Sequence, residues 1–165
     1  MSNSVLDWMI LPLRRYADFR GRSRRAEFWW WTLLYYIITA VLLAITFSGF
    51  PWEAIINESL APDLIEDDPF EVFGAGLWVG AGLYGLFFLA TFIPNLAVTV
   101  RRLHDRGMSG WWYGGLLIAS FIPVIDMLAF FGYIALFIIC ILPGQEGANR
   151  WGPDPKDPSQ ASVFA

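Results

Sequence analysis

Residues 28–47 read FWWWTLLYYIITAVLLAITF, twenty positions without a charge. At 1.5 Å per residue, a helix of that length measures about 30 Å, the thickness of one bilayer core. Three tryptophans open the stretch, and Trp is favoured where a membrane meets water. Two further apolar regions follow. Residues 72–100 are 29 positions without a charge, and 111–142 is interrupted by a single one, Asp126. Charged residues make up 16% of the 165-residue chain, against about 25% in a typical water-soluble domain. The sequence therefore reads as an integral membrane protein.

The second region is longer than one crossing requires. Pro94 and Asn95 near its end place the membrane part at about 72–96, with a kink expected where Pro94 leaves the Ala90 carbonyl without a donor. The third region predicts two helices, because a single helix over 111–142 would measure about 48 Å. The break lies at PVID (123–126), and Ser109 and Asp126 suit the N-cap positions of the two halves. The fold class is thus all-α: four transmembrane helices in a bundle, at about 27–47, 72–96, 109–125 and 126–142. Three spans with Asp126 buried are the alternative, at a higher electrostatic cost. Ahead of the first span, NSVLDWMILPLRRYADF predicts a short helix lying in the membrane interface. Its apolar stretch has no preceding positive charge and contains Asp7 and Pro12, so no cleavable signal peptide is expected. Residues 1–155 form one helical membrane domain, whose last part is a loop rich in turn residues, and 156–165 a flexible tail.

Positive charge sets the orientation. Arg14, Arg15, Arg20, Arg22, Arg24 and Arg25 precede span one; Arg101, Arg102 and Arg106 lie between spans two and three; Arg150 and Lys156 follow span four. These are all 11 Lys and Arg residues of the chain. The 48–71 loop holds none, but carries Glu53, Glu58, Asp63, Glu66, Asp67, Asp68 and Glu71. Four spans gather every cation on one side, which the positive-inside rule makes cytoplasmic, with both termini there. Three spans would strand Arg150 and Lys156 outside. The inner face suits anionic phospholipid, and the acidic outer loop reads as a solvated connector.

The stretch RRLHDRGMSGWW (101–112) then becomes a turn between antiparallel helices. Arg101 and Asp105 are spaced for an i,i+4 pair, Gly107 suits the left-handed residue that ends a helix, and Ser109 caps the next one. In RGRSRRAEFWWW (20–31), Ser23 is the expected N-cap of span one. Arg24 and Arg25 then oppose the helix dipole by about 0.3–1 kcal/mol each, so another interaction must favour them. One answer is topology; another is an anion at the free N–H groups of the helix start. The candidate anion or lipid site is Arg22, Arg25, Arg101, Arg102, His104 and Arg150. Glu27, Asp105, Asn149 and Asp154 are the candidate polar network able to neutralise it. Gly76, Gly80 and Gly85 in span two form a candidate helix-packing face.

Catalysis is not indicated. His104 and Asp105 are adjacent and point about 100° apart on a helix. One histidine and the remote Cys140 make zinc implausible, and no nucleophile-elbow, P-loop or zincin motif is present. No catalytic residue, cofactor or metal is assigned, and the arginines lack any nucleic-acid-binding module. A structural or pH-responsive His104 bonded to the tail is expected instead.

Three ordered motifs carry a resemblance. Gly21, Arg22, Arg25, Phe28 and Trp29 come first; Arg101 to Asp105 with Ser109 to Trp112 follow; Gly144, Gly147, Asn149, Trp151, Gly152, Asp154 and Pro155 close the set. In these the chain resembles the bacterial inner-membrane family of the domain of unknown function numbered 805. The resemblance implies a small helical plasma-membrane protein and brings no activity with it. Two classes of function stay open. One is a binding or scaffold protein whose basic face holds anionic lipid or an acidic partner, a second copy or another membrane protein included. The other is a membrane enzyme or carrier acting on a phosphorylated lipid. A closed face with Asp105 and Asp154 pairing the arginines favours the first; a cavity at His104 favours the second.

Overall fold

The computed structural model describes residues 4–56 and 73–157, with the backbone alone at residues 54 and 55. Most of the acidic loop and the end of the tail lie outside the described residues. Within them the chain is helical, with one isolated bridge between Asn149 and Gly152 and no strand. The helices are α1 (Val5–Arg14), α2 (Arg25–Ser48), α3 (Trp52–Ile56), α4 (Ala75–Asp105), α5 (Trp111–Ala119) and α6 (Ile125–Ile141).

Two of these, α2 with 24 residues and α4 with 31, are long and apolar enough to cross a membrane. In the most apolar stretch of α2 only 6% of the residues are buried, and in that of α4 22%. The core helix of a water-soluble protein would be mostly buried, so these are faces for a bilayer to cover. α6 is a shorter apolar helix of 17 residues. The third expected span is cut short: α5 has nine residues and is about 14 Å long. It stops at Ala119, ahead of Pro123, which disfavours helix at Ile122. α4 runs on through Pro94 to Asp105, well past the expected membrane part.

The N-caps differ from expectation. α2 begins at Arg25, and the Ser23 hydroxyl donates to Glu27 at 2.7 Å instead of capping. Ser109 precedes the N-cap Gly110, and its Oγ accepts from the Trp111 N–H at 3.3 Å. Asp126 lies inside the first turn of α6 and accepts from the Met127 N–H at 2.7 Å. α1 is capped as a box: Ser4 Oγ accepts from the Asp7 N–H, and the Asp7 carboxylate from the Ser4 N–H. Its Val5, Leu6 and Leu13 are exposed and Pro12 is buried.

The chain divides into two compact units, 33–91 and the remainder (1–32 with 92–165), and both α2 and α4 contribute to each. In the first unit the end of α2 lies against the start of α4. A Cβ on Gly80 would stand 2.6 Å from the Thr46 Cα, and one on Gly76 2.9 Å from the Gly49 nitrogen. Tyr35 and Phe87 stack with centroids 5.3 Å apart. Gly85 is not on this seam, since a Cβ there meets nothing within 4 Å. At 100° per residue it lies about 180° around the helix from Gly76. In the second unit α5 packs on α6, with Leu116 over Gly132 and Tyr113 edge-on to Tyr133, while the Trp31 indole donates to the Asn95 side-chain Oδ1 at 2.6 Å.

The seam yields a paired prediction. Gly80→Leu inserts a side chain where backbone already stands, at an expected cost of about 1–3 kcal/mol, or about 2–4 °C of melting temperature per kcal/mol for this size. Gly85→Leu should melt with the wild type in detergent. Equal losses in both would remove the seam.

Candidate functional site

The last turn of α4, Arg101 to Asp105, is wholly buried. Its end has the form expected for Gly107: that glycine takes φ +73°, its N–H bonds the His104 carbonyl, and the Met108 N–H reaches back to Leu103. Burying four ionisable groups in one turn, Arg101, Arg102, His104 and Asp105, demands partners for each, and most of these come from outside the helix.

Arg101 does not pair with Asp105. It donates to Glu27 of α2 at 2.6 Å and to the carbonyl of Asp18, in the link from α1. Glu27 and Asp105 are each 2% exposed, so each needs a cation of its own. Asp105 instead bridges two other guanidiniums. Arg22 approaches one oxygen at 2.9 Å, and Arg102, three residues back, donates to the other. Arg22, Arg101 and Arg102 are each no more than 1% exposed. They belong to the neutralising network and offer no open face to a headgroup.

The remaining donors of these arginines go to backbone, apart from the buried Arg101 Nε, which has no acceptor among the described residues. The last carbonyls of a helix have no intrahelical partner, and those of α6 are taken one after another. Arg102 donates to Cys140 at 3.1 Å and to Leu142, Arg25 to Ile141 at 3.3 Å, and Arg106 to Pro143. Arg22 then holds the carbonyls of Gln145 and Gly147. Here is the missing interaction behind the two arginines that oppose the α2 dipole: Arg25 caps α6, and Arg24 donates to Pro155. At the end of α6 the same positive charge complements a dipole.

The tail is held by side chains from every part of this site. The Gln145 N–H bonds the Asp105 carbonyl at 2.9 Å. Gly144 is obligatory, because a Cβ there would lie 1.9 Å from an Asp105 carboxylate oxygen. The Asn149 amide donates to the His104 carbonyl at 2.9 Å. The His104 ring stacks on Trp151 with centroids 3.7 Å apart and 6° between planes, and its Nδ1 lies 3.1 Å from the Gly21 carbonyl. A carbonyl only accepts, so that nitrogen carries the proton. Arg150 lies over the Trp151 ring and donates to the Gly107 carbonyl; it is exposed and stands apart from the buried three. Asp154 pairs with no arginine side chain. Its carboxylate accepts the N–H groups of Lys156 and Gly147, which hold it below the usual range. Asp18 is also depressed: burial pushes its carboxyl up, but the Arg15 guanidinium at 2.7 Å and the Arg20 N–H outweigh that.

Sequence reasoning missed Gln145, Arg106 and the linker carbonyls, because backbone acceptors leave no mark in a motif. Among the described residues no group of three His, Cys, Asp or Glu side chains is placed to hold a metal ion.

Two predictions follow the geometry. Asp105→Asn leaves two buried guanidiniums short of a counter-charge and should cost about 3–5 kcal/mol, read as a lower melting temperature in detergent; an unchanged melt would show the carboxylate to be dispensable. The depressed Asp18 and Asp154 contribute stability that is complete above their unfolded pKa, about 4, and is lost as pH falls through the folded values. Melting temperature should therefore drop on acidification below about pH 4, and Asp154→Asn should flatten part of that slope.

Residues 16–153 match the family described as "Protein of unknown function (DUF805)". Inner membrane protein YhaI of Escherichia coli (strain K12) is 32% identical over 151 residues, covering 92% of this chain and 97% of that protein. Inner membrane protein YhaH of the same strain is 29% identical over 151 residues, with 92% and 98% covered. No solved structure matches the chain. With the family match holding the first two motif segments, most of the third and the buried network they build, the chain belongs to the DUF805 family.

Proposed function

We propose that the protein is a multi-pass inner-membrane protein whose cytoplasmic face is a binding or scaffold surface, closed at its centre and basic at its rim. The observation that carries this is the convergence of residues 22–27, 101–105 and 140–149 on one buried network of arginines, Glu27 and Asp105. The curated relatives are named inner membrane proteins, and the exposed apolar faces of α2 and α4 agree with that location. Arg102 contacts both Asp105 and the Leu142 carbonyl, so the ends of α4 and α6 lie together. This supports an even number of crossings with both termini on the arginine side, and four crossings when the α5–α6 hairpin reaches across. The three-span alternative separates those two ends.

Turnover is poorly served by this arrangement. A general base needs a lone pair facing a substrate, whereas His104 is 5% exposed, stacked on Trp151 and engaged at Nδ1. The rim is different. Arg14, Arg25, Arg150 and Lys156 are exposed, and each such cation near anionic lipid is worth about 1 kcal/mol.

Single cysteines test the topology. In a Cys140→Ser background, Ser59→Cys and Val124→Cys should react with a maleimide that cannot cross the inner membrane, and Ser162→Cys should not. Labelling at 162 would overturn the reading; labelling at 59 without 124 would replace four crossings by a hairpin that turns back inside the bilayer.

A further inference from the structure

Five arginines gather at the ends of α4 and α6, and they are not equally occupied. Arg22 and Arg102 are buried and share Asp105, while Arg101 has Glu27. Arg25 and Arg106 have no carboxylate within ion-pair distance among the described residues. Each is attached through a single nitrogen, NH1, to a carbonyl at the end of α6: Arg25 to Ile141 and Arg106 to Pro143. Arg25 is otherwise exposed. The Arg106 Nε is buried and has no acceptor, and such a donor normally has one.

The charge is unbalanced in the same place. Arg25 and Arg106 both lie close enough to Arg102 for like charges to repel. The Asp105 carboxylate is divided between Arg102 and Arg22, and the dipole of α6 offers about half a charge. Cationic charge is left over at a helix end whose Ile138, Ile141 and Leu142 are exposed and apolar.

We propose that Arg25 and Arg106 hold a phosphate group between them, that of an anionic phospholipid whose acyl chains lie along the last turn of α6. This rests on the preceding reading for its placement at the level of the bilayer surface. Ile141 and Pro143 are two residues apart, which sets their carbonyls no more than about 7 Å from each other along the chain. Both guanidiniums are thereby anchored on one short stretch of chain, and a phosphate can accept an N–H from each. The free donors are the Arg106 Nε and the unattached nitrogens of Arg25, so the ligand displaces nothing that holds the buried core together. The site therefore differs from one built on Arg101 and Arg102, which are wholly buried and ion-paired to Glu27 and Asp105.

The test is native mass spectrometry of the full chain in detergent, exchanged into equimolar phosphatidylglycerol and phosphatidylethanolamine. The wild type should retain phosphatidylglycerol by about fivefold or more, the value of one juxtamembrane cation. Arg25→Gln and Arg106→Gln should each lower that preference by about fivefold, and Arg20→Gln, an exposed arginine of the same face, should leave it intact. Melting curves establish that each variant is folded. Should Arg106→Gln unfold because Pro143 loses its donor, Arg25→Gln decides the matter. No preference in the wild type, a preference that survives Arg25→Gln, or an equal loss with Arg20→Gln overturns the site. Displacement of phosphatidylglycerol by millimolar inorganic phosphate would assign the pocket to free phosphate and overturn the lipid. Because the measurement is made in detergent, its failure leaves the topology standing, and cysteine labelling at position 162 would defeat the topology without touching the lipid result.

Discussion

An ionised carboxylate removed from water costs several kcal/mol unless cations and N–H donors replace its hydration. Asp105 is 2% exposed and meets that condition with two guanidiniums from separate parts of the chain. Arg22 comes from ahead of α2, and Arg102 from one turn back in α4. Each guanidinium then continues outward, Arg22 to the carbonyls of Gln145 and Gly147, Arg102 to those of Cys140 and Leu142. One carboxylate thereby ties the start of α2, the end of α4, the end of α6 and the tail together. Gly144 belongs to the same interaction, since any side chain there would occupy the space of a carboxylate oxygen.

Arginine suits this arrangement where lysine would not. A guanidinium presents five donors in a planar fork, so it can hold a carboxylate on one edge and carbonyls on the other. Arg22 and Arg102 both do this. A tail with no helical period thus becomes ordered over 143–157 without a core of its own: its carbonyls are claimed by arginines, its Asn149 reaches the end of α4, and its Trp151 covers His104. The cationic side chains Arg25, Arg102 and Arg106 serve here as caps for the end of α6.

The membrane character, the helices α1, α2 and α4, the glycine end of α4 and the meeting of three motifs were legible in the sequence. Each depends on something a sequence displays: uncharged length, residue spacing, or a residue type with special backbone freedom. Partner choice was not. Arg101 and Asp105 have ideal i,i+4 spacing, and both form other pairs because Glu27 and Arg22 arrive from 74 and 83 positions away. Gly85 repeats the small-residue pattern of Gly76 and Gly80, but its angle around the helix takes it off the seam. The α5 boundary failed for a similar reason. Hydropathy continues through 120–124, while Pro123 ends the helix locally. The residues that looked most like ligand contacts, Arg101 and Arg102, are the least available, because charges inside a protein must pair and those at its rim need not.

The same network constrains the path of the chain between α4 and α6. Arg102 sits in the last turn of one helix and holds carbonyls at the end of the other, so residues 106–139 leave that level and return to it. The return leg, α6, is about 25 Å long. The outward leg must match it with nine helical residues, about 14 Å, and the irregular 120–124 segment. At membrane depth such a segment is tolerated only if its backbone finds partners within the protein. It largely does. The N–H groups of Ser120, Phe121 and Ile122 bond the carbonyls of Leu116, Ile118 and Ala119, those of Ile125 and Asp126 both bond Ile122, and Pro123 has none to satisfy. The Met127 N–H, at the head of α6, is taken by the Asp126 side chain. Phe121 and Val124 at the tip are more than four-fifths exposed, an apolar surface of the kind that a partner or a bilayer covers.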